Sequence, residues 1–315
     1  MRIAAIDIGT NTVLLLIADI DPNGSIQPVH NELRFPRLGR DVDKMRMIRP
    51  PAFDRIAWVL NEYKNLSIQF KSDLITACAT SALRDAANRD EFLAYLRSTA
   101  GVEVEILSGE EEARLAYDGA LSGFDSTSRP AAVIDIGGGS TEVSYPVKDR
   151  IPSIGNSLSY LSFQLGAVRL TERYLNHNPP TSEELSKARR IVQEGWESIQ
   201  DLSGGDYSLI GVAGTVTTLA CLDQGLTEFD ANLVGGYTLP REHVERWFRR
   251  LSEMRSAEIE ALTEAAQGRA DILVAGSLIL LEFMIRFRFE EVIASDRGLR
   301  YGLAIREWKK RNTLR

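Results

Sequence analysis

The chain has 315 residues, 44% hydrophobic and 26% charged, enough apolar material for one large domain or two ordinary ones and too much for a disordered chain. With 37 Lys and Arg against 44 Asp and Glu, the net charge of −7 argues against coating nucleic acid or anionic membrane by bulk charge, while a local basic groove stays open. Cys78 and Cys221 are too few for a disulfide scaffold or a four-cysteine zinc site. His30, His177 and His243 lie too far apart in the chain for a histidine-rich metal centre and are expected in loops or on helix surfaces.

In chain order, 2–8 and 12–20 read as a hairpin; Asp7 and Asn11 interrupt the apolar run, which speaks for strands rather than a signal peptide. A third strand is expected at 26–37 and a helix at 52–69, just after Pro50-Pro51, with Phe53, Ile56, Leu60 and Tyr63 at helical spacing. A buried strand at 74–78, a helix at 84–98 and a strand at 102–107 follow. Ser108, with Glu111 three residues on, reads as a capping box opening a helix to about Gly119. The turn-rich stretch 122–130 is the expected domain boundary. Beyond it come strand 131–136, its hairpin partner 140–147, helices at 166–175 and 182–202, and strand 207–212 leading into a helix from Thr215. Strand 232–239, two helices near 240–265, an apolar helix 270–288, strand 290–295 and a charged helix 299–312 complete the pattern. The apolar stretch from Ile272 to Ile285 contains Glu282 and is too short to span a bilayer, so a cytoplasmic protein is expected. Strands alternating with helices indicate the α/β class.

An internal repeat carries the chemistry. Ala4-Ala5-Ile6-Asp7-Ile8-Gly9-Thr10-Asn11-Thr12 recurs 128 residues later as Ala132-Val133-Ile134-Asp135-Ile136-Gly137-Gly138-Gly139-Ser140-Thr141. Each copy is a buried strand delivering an Asp into a glycine turn with hydroxyl residues, so two similar domains across a cleft are expected. Glycine lets backbone N–H groups approach a ligand, and Ser or Thr adds donors, a concave set suited to phosphate oxygens. Gly9, Thr10 and Asn11 of the first turn, and Gly137, Gly138, Gly139, Ser140 and Thr141 of the second, are therefore the candidate phosphate binders. A carboxylate beside phosphate makes sense as a holder of Mg²⁺ or of water. Asp135 and Glu142 converge if the second hairpin folds back, and Asp7 is a third candidate ligand for the same ion.

Of the acids after Ser108, Glu111 is accounted for by the capping box and Glu110 by a pair with Arg114 one turn on. Glu112 shares its face with Ala116 and Gly119, small residues that permit close packing, and a carboxylate on such a face needs a reason to be there. No Gly-x-x-x-x-Gly-Lys-Ser/Thr loop, dinucleotide glycine turn or Gly-x-Ser-x-Gly elbow is present.

The chain resembles the exopolyphosphatase / guanosine pentaphosphate phosphohydrolase family of the actin-like ATPase superfamily. The resemblance rests on IDIGTNTVLLLI at 6–17, RLGRDV at 37–42, ATSALRDAAN at 79–88, SGEEEARLAYDGA at 108–120, VIDIGGGSTEV at 133–143, QLGAVRLTE at 164–172, GVAGTVTTLA at 211–220 and GLRYGLA at 298–304. It implies duplicated actin-like (ribonuclease H-like) domains flanking a cleft: 1–121, with a terminal helix at 297–315 packing back on it, and 122–296. It makes Glu112, which precedes Ala-Arg-Leu, the base that activates water and places Arg84 at a phosphate-contacting position; Asp135 and Glu142, by their spacing around the turn, are the further catalytic candidates, as holders of Mg²⁺ or of the attacking water. Arg37 and Arg40 form a second basic candidate, Arg169 and Arg297 extend the track, and Lys44, Arg46 and Arg49 read as a solvated loop edge. Two departures stand out: the chain lacks the extra carboxy-terminal domains of longer members, and Tyr301 stands where many members have Glu. The implied activity is release of orthophosphate from the end of inorganic polyphosphate with Mg²⁺ or another divalent cation. Alternatives are hydrolysis of guanosine pentaphosphate to tetraphosphate, and a non-catalytic, nucleotide-gated actin-like binding or filament protein. A homodimer is a further expectation; nucleic acid and membrane are not expected partners.

Overall fold

The structure, a computed structural model, describes residues 1–124, 129–147 and 157–313 and divides into two compact units. Unit 1 comprises Met1–Ser122 and the segment from Arg297 onward; unit 2 comprises Gly123–Asp296. Positions 125–128 of the expected boundary stretch lie outside the described residues.

Unit 1 begins with β1 (Arg2–Ile8), β2 (Val13–Ile20), β3 (Ile26–Arg34), α1 (Val42–Met45) and α2 (Pro50–Gln69). It continues through β4 (Leu74–Ala79), α3 (Ser81–Asp85), α4 (Arg89–Ala100), β5 (Val104–Ile106) and α5 (Gly109–Leu121). Its sheet runs β3-β2-β1-β4-β5, antiparallel across the first three strands and parallel across the last three. β1 lies in the middle and is covered on both faces, which is why it reads as a nearly unbroken apolar run. Side chains alternate across a strand. Ala4, Ile6 and Ile8 therefore meet α2 and α4, while Ile3 and Ala5 face the opposite layer.

Unit 2 contains β6 (Ala131–Ile136), β7 (Thr141–Val147), β8 (Ser157–Phe163), α6 (Ala167–Tyr174), α7 (Ser182–Gly195), β9 (Ser208–Val212) and α8 (Ala213–Gln224). It continues with α9 (Ala231–Val234), β10 (Thr238–Pro240), α10 (Arg241–Ser252), α11 (Ser256–Glu260), α12 (Leu273–Phe287) and β11 (Glu291–Ala294). Its sheet, β10-β11-β9-β6-β7-β8, repeats the unit 1 pattern from β8 inward and adds antiparallel β10. The apolar α12 is the buried centre of this unit, and no helix among the described residues is long and apolar enough to cross a membrane. The chain then returns to unit 1 as α13 (Leu299–Thr313).

Several elements differ from the sequence reading. The helix expected at 84–98 is two helices, because Asn88 acts as a backbone substitute: it accepts from Ile48 N–H at 2.9 Å and donates to Ile48 O at 3.0 Å. The helix expected at 182–202 stops at Gly195, with buried Trp196 turned into contact with Phe163 and Phe283. The strand expected at 232–239 is instead α9, capped by Asp230, followed by Gly235-Gly236 and short β10. β3 ends at Arg34, and β8 and α1 had no counterpart in the reading. His177 lies in a loop and His243 on a helix, as expected, but His30 sits on β3, stacked on Phe70.

α13 packs on α5 through glycines at close range. A Cβ on Gly302 would lie 1.9 Å from Leu115 O, and one on Gly119 would lie 2.0 Å from Gly298 O. Neither obstacle is a flexible side chain, so backbone has to move. Gly302→Ala is expected to cost about 2 kcal/mol or more, and calorimetry should show the melting temperature down by several degrees. An unchanged melting temperature would refute the close-packing account.

Candidate active site

The two glycine turns are built alike. In each, the glycine leaving the first strand donates to the carbonyl three residues on, Gly9 to Thr12 at 2.9 Å and Gly137 to Ser140 at 3.0 Å. A second segment then takes the carbonyl groups at the tip. In unit 1, Gly39 N–H donates to Thr10 O at 2.7 Å and Arg37 N–H to Asn11 O at 3.1 Å. In unit 2, Ala167 N–H donates to Gly137 O at 2.9 Å, while Val168 and Arg169 N–H donate to Gly138 O at 2.8 and 3.1 Å. Arg169 adds its Nε on Gly139 O at 2.7 Å. Glycine permits the approach: a Cβ on Gly39 would lie 2.1 Å from Thr10 Cγ2, and one on Gly166 would lie 2.4 Å from Gly138 O. A trans peptide sets N–H opposite C=O. Carbonyls tied to one side therefore aim the N–H groups of Asn11 and Thr12, and of Gly138, Gly139 and Ser140, to the other. Each turn is thus shaped as an anion nest.

Asp7, next to the end of β1, lies on the face that carries Ile3 and Ala5, the face covered by α5 and α13. Its Oδ1 is buried without a hydrogen-bond partner. Burial, reinforced by the nearby Glu112 charge and opposed by Arg300, pushes the Asp7 carboxyl up to about 7. Glu112, in the first turn of α5, is buried. The cap is made by its neighbour: Glu111 Oε2 accepts from Ser108 N–H at 2.9 Å, and Ser108 Oγ accepts from Glu111 N–H at 3.2 Å. Glu112 is left for another partner, and Arg84 Nη1 donates to its Oε2 at 2.5 Å and to Leu107 O at 3.0 Å. Burial raises the Glu112 carboxyl above its ordinary value, while the charge and hydrogen bond of Arg84 pull it back.

In unit 2 the β6–β7 register sets Asp135 directly opposite Glu142. Cross-strand partners project from the same face, so two buried carboxylates stand side by side. The next strand adds a third polar residue, Ser162, whose hydroxyl donates to Glu142 Oε1 at 2.7 Å.

Other residues fall where the sequence did not place them. Thr141, expected to bind phosphate, gives its hydroxyl proton to Leu165 O at 2.5 Å and so braces the turn. Arg169 is buried behind the second turn, not on a basic track. Arg297 Nη1 donates to Ser122 O at 2.7 Å, and its guanidinium lies 5.1 Å from the ring centre of fully buried Tyr301. Arg84 meets Glu112 directly. Arg37 is part of the strap over the first turn, and Arg40 is exposed beside it. Arg46 and Arg49 lie at the surface, facing Asp85 at 3.9 Å and Asp41 at 2.7 Å. Among the described residues no three His, Cys, Asp or Glu side chains form a ready-made metal cluster. Ser162 escaped the sequence reading because the Ser-rich segment 157–163 lacks a clean apolar alternation; only Glu142 near a turn hinted at a partner strand.

The sequence profile of the Ppx/GppA phosphatase family matches residues 16–311. Exopolyphosphatase 2 of Mycobacterium tuberculosis is 34% identical over 318 residues, covering 96% of this chain and 98% of that protein. Among solved structures, the Aquifex aeolicus member of the family is similar with a TM-score of 0.81 at 31% identity over 99% of each chain. An exopolyphosphatase-like protein is similar with a TM-score of 0.88 at 31% identity over 97% of each chain. With a profile match reaching through both units and a relative matched over nearly its whole length, the chain belongs to the Ppx/GppA phosphatase family.

Proposed function

We propose that the chain is an exopolyphosphatase that hydrolyses the terminal phosphoanhydride bond of inorganic polyphosphate. The observation that carries this reading is Glu112: a buried carboxylate, free of capping duty, with its basicity raised by burial and its position held by Arg84. A general base works best when its pKa lies near the working pH. Glu112 takes a proton from water as the water oxygen bonds to the terminal phosphorus and the bridging P–O bond breaks, releasing orthophosphate and leaving the chain one unit shorter. There is little covalent chemistry for a protein to perform in phosphoryl transfer; positioning and charge stabilisation dominate. The N–H groups of a glycine turn serve that purpose by binding phosphate oxygens. The likeness to exopolyphosphatase 2 supports polyphosphate as the substrate.

The acids present fit Mg²⁺. Asp7 Oδ1 is a buried acceptor without a donor, and Asp135 and Glu142 form a side-by-side pair. Mg²⁺ commonly takes one or two carboxylates and completes its shell with water and phosphate oxygens, so a preassembled three-acid cage is not required. Asp135 and Glu142 would hold the ion. Bound there, Mg²⁺ would neutralise charge on the phosphate oxygens.

Glu112→Gln preserves shape and removes the proton acceptor. Phosphate release from polyphosphate should fall by about 10²–10⁴, while polyphosphate binding measured by calorimetry stays close to wild type. Activity within about threefold of wild type would reject Glu112 as the base. Release confined to guanosine pentaphosphate in a parallel assay would overturn the polyphosphate reading.

Asp7 makes a pH prediction. The folded protein holds the Asp7 proton to about 7, whereas an unfolded Asp loses it near 3.8. Folding stability from this group is therefore intact below pH 4, declines as pH rises and is fully lost above 7, a loss of the order of a few kcal/mol. Asp7→Asn mimics the protonated form, so its stability advantage in urea unfolding without metal should grow between pH 4 and 7 and then level off. A constant difference across that range would show that Asp7 has an ordinary carboxyl.

A further inference from the structure

The row of side chains running across the unit 2 sheet has a counterpart in unit 1, and the two differ in one respect. The register places Asp135 opposite Glu142 and Glu142 opposite Ser162 on β6, β7 and β8. The matching positions on β1, β2 and β3 are Asp7, Leu14 and Leu33, paired in the same register. The same strand–turn–strand frame therefore folds with leucine at both outer positions. A carboxylate and a hydroxyl in those places are not demanded by the sheet.

Glu142 is almost wholly buried. A buried carboxylate is costly unless donors reach it, and a hydroxyl at 2.7 Å on Oε1 supplies one from the strand on the side away from Asp135. A hydroxyl bonded to one oxygen restrains the rotation of the carboxylate. The chain that delivers Ser162 continues without a break into the strap over the second turn, since Leu165 O accepts from Thr141 and residues 167–169 hold the glycine carbonyls. One short segment thus orients the acid and shapes the anion nest beside it.

We propose that Ser162 is a positioning residue for Glu142, fixing its carboxylate so that the Asp135–Glu142 pair meets the divalent cation and phosphate in one defined orientation. The proposal rests on the phosphohydrolase reading of the site. Loss of a supporting hydrogen bond to a metal-binding acid commonly costs about 10–100-fold in metal affinity or activity.

The test compares wild type, Ser162→Ala and Ser162→Thr in two measurements. The first is steady-state phosphate release from polyphosphate and, in parallel, from guanosine pentaphosphate, at varied Mg²⁺. The second is thermal unfolding during Mg²⁺ titration without substrate. For Ser162→Ala we expect kcat down about tenfold, KM for the phosphate substrate within about twofold, and the Mg²⁺ needed for half-maximal activity and for half-maximal thermal stabilisation both raised about tenfold. Ser162→Thr keeps a hydroxyl and should restore all three. A Ser162→Ala protein with unchanged kcat and Mg²⁺ dependence overturns the proposal, as does one that only melts earlier. A Ser162→Thr variant as impaired as Ser162→Ala also overturns it. Failure of the functional reading appears in wild type itself, as no release from either substrate; the Mg²⁺ titration then still compares Ser162→Ala with wild type. A wild type inert in both measurements overturns both.

Discussion

A glycine turn offers its N–H groups to an anion only while its carbonyl groups are held elsewhere, because the two point in opposite directions along each peptide plane. Both halves of this protein meet that constraint with the same device, a second loop laid across the back of the turn. The first uses Arg37 and Gly39; the second uses the start of α6 and the Arg169 guanidinium. Each loop contains a glycine where a side chain would collide with the turn. Both loops set a Leu-Gly pair there, Leu38-Gly39 and Leu165-Gly166, and both lead into a helix, which begins at Val42 in the first and directly at Ala167 in the second.

The acids are handled differently in the two halves. In unit 1, the Glu112 charge adds to the cost of ionising Asp7, and Arg84 stands against Glu112 as the compensating charge. In unit 2 a neutral hydroxyl, that of Ser162, reaches Glu142. A cation held tightly against a carboxylate lowers its basicity, whereas a single hydroxyl orients it with less effect on its charge.

Much of this was legible from the residues. β1 and β6 were readable because strands covered on both faces are continuously apolar and end in the same Asp-Ile-Gly. The Ser108–Glu111 box was readable because capping is local, and it isolated Glu112 by subtraction. The pairing of Asp135 with Glu142 followed from spacing around a turn. Non-local contacts were not readable. Nothing within a few residues of Arg84 shows that its guanidinium reaches Glu112, and nothing near Arg169 shows that it is buried under Gly139. Asn88 splits a helix for the sake of Ile48, forty residues away. Arginines beside glycine turns invite assignment to a ligand, and three of them hold the protein's own backbone or the Glu112 carboxylate.

The order in which the chain visits the two units bears on how it is made. Ile3 and Ala5 of β1 share a core with Leu299, Tyr301 and Leu303 of α13, and all of unit 2 is synthesised between them. Contacts so distant in sequence form late, since loop closure precedes their reward. A nascent chain therefore carries one face of its first sheet uncovered while the second unit emerges and folds. Until α13 arrives, that face is an apolar surface of the kind that invites association with other chains, and ribosome-bound or truncated forms should depend on chaperone shielding to a degree the finished protein does not.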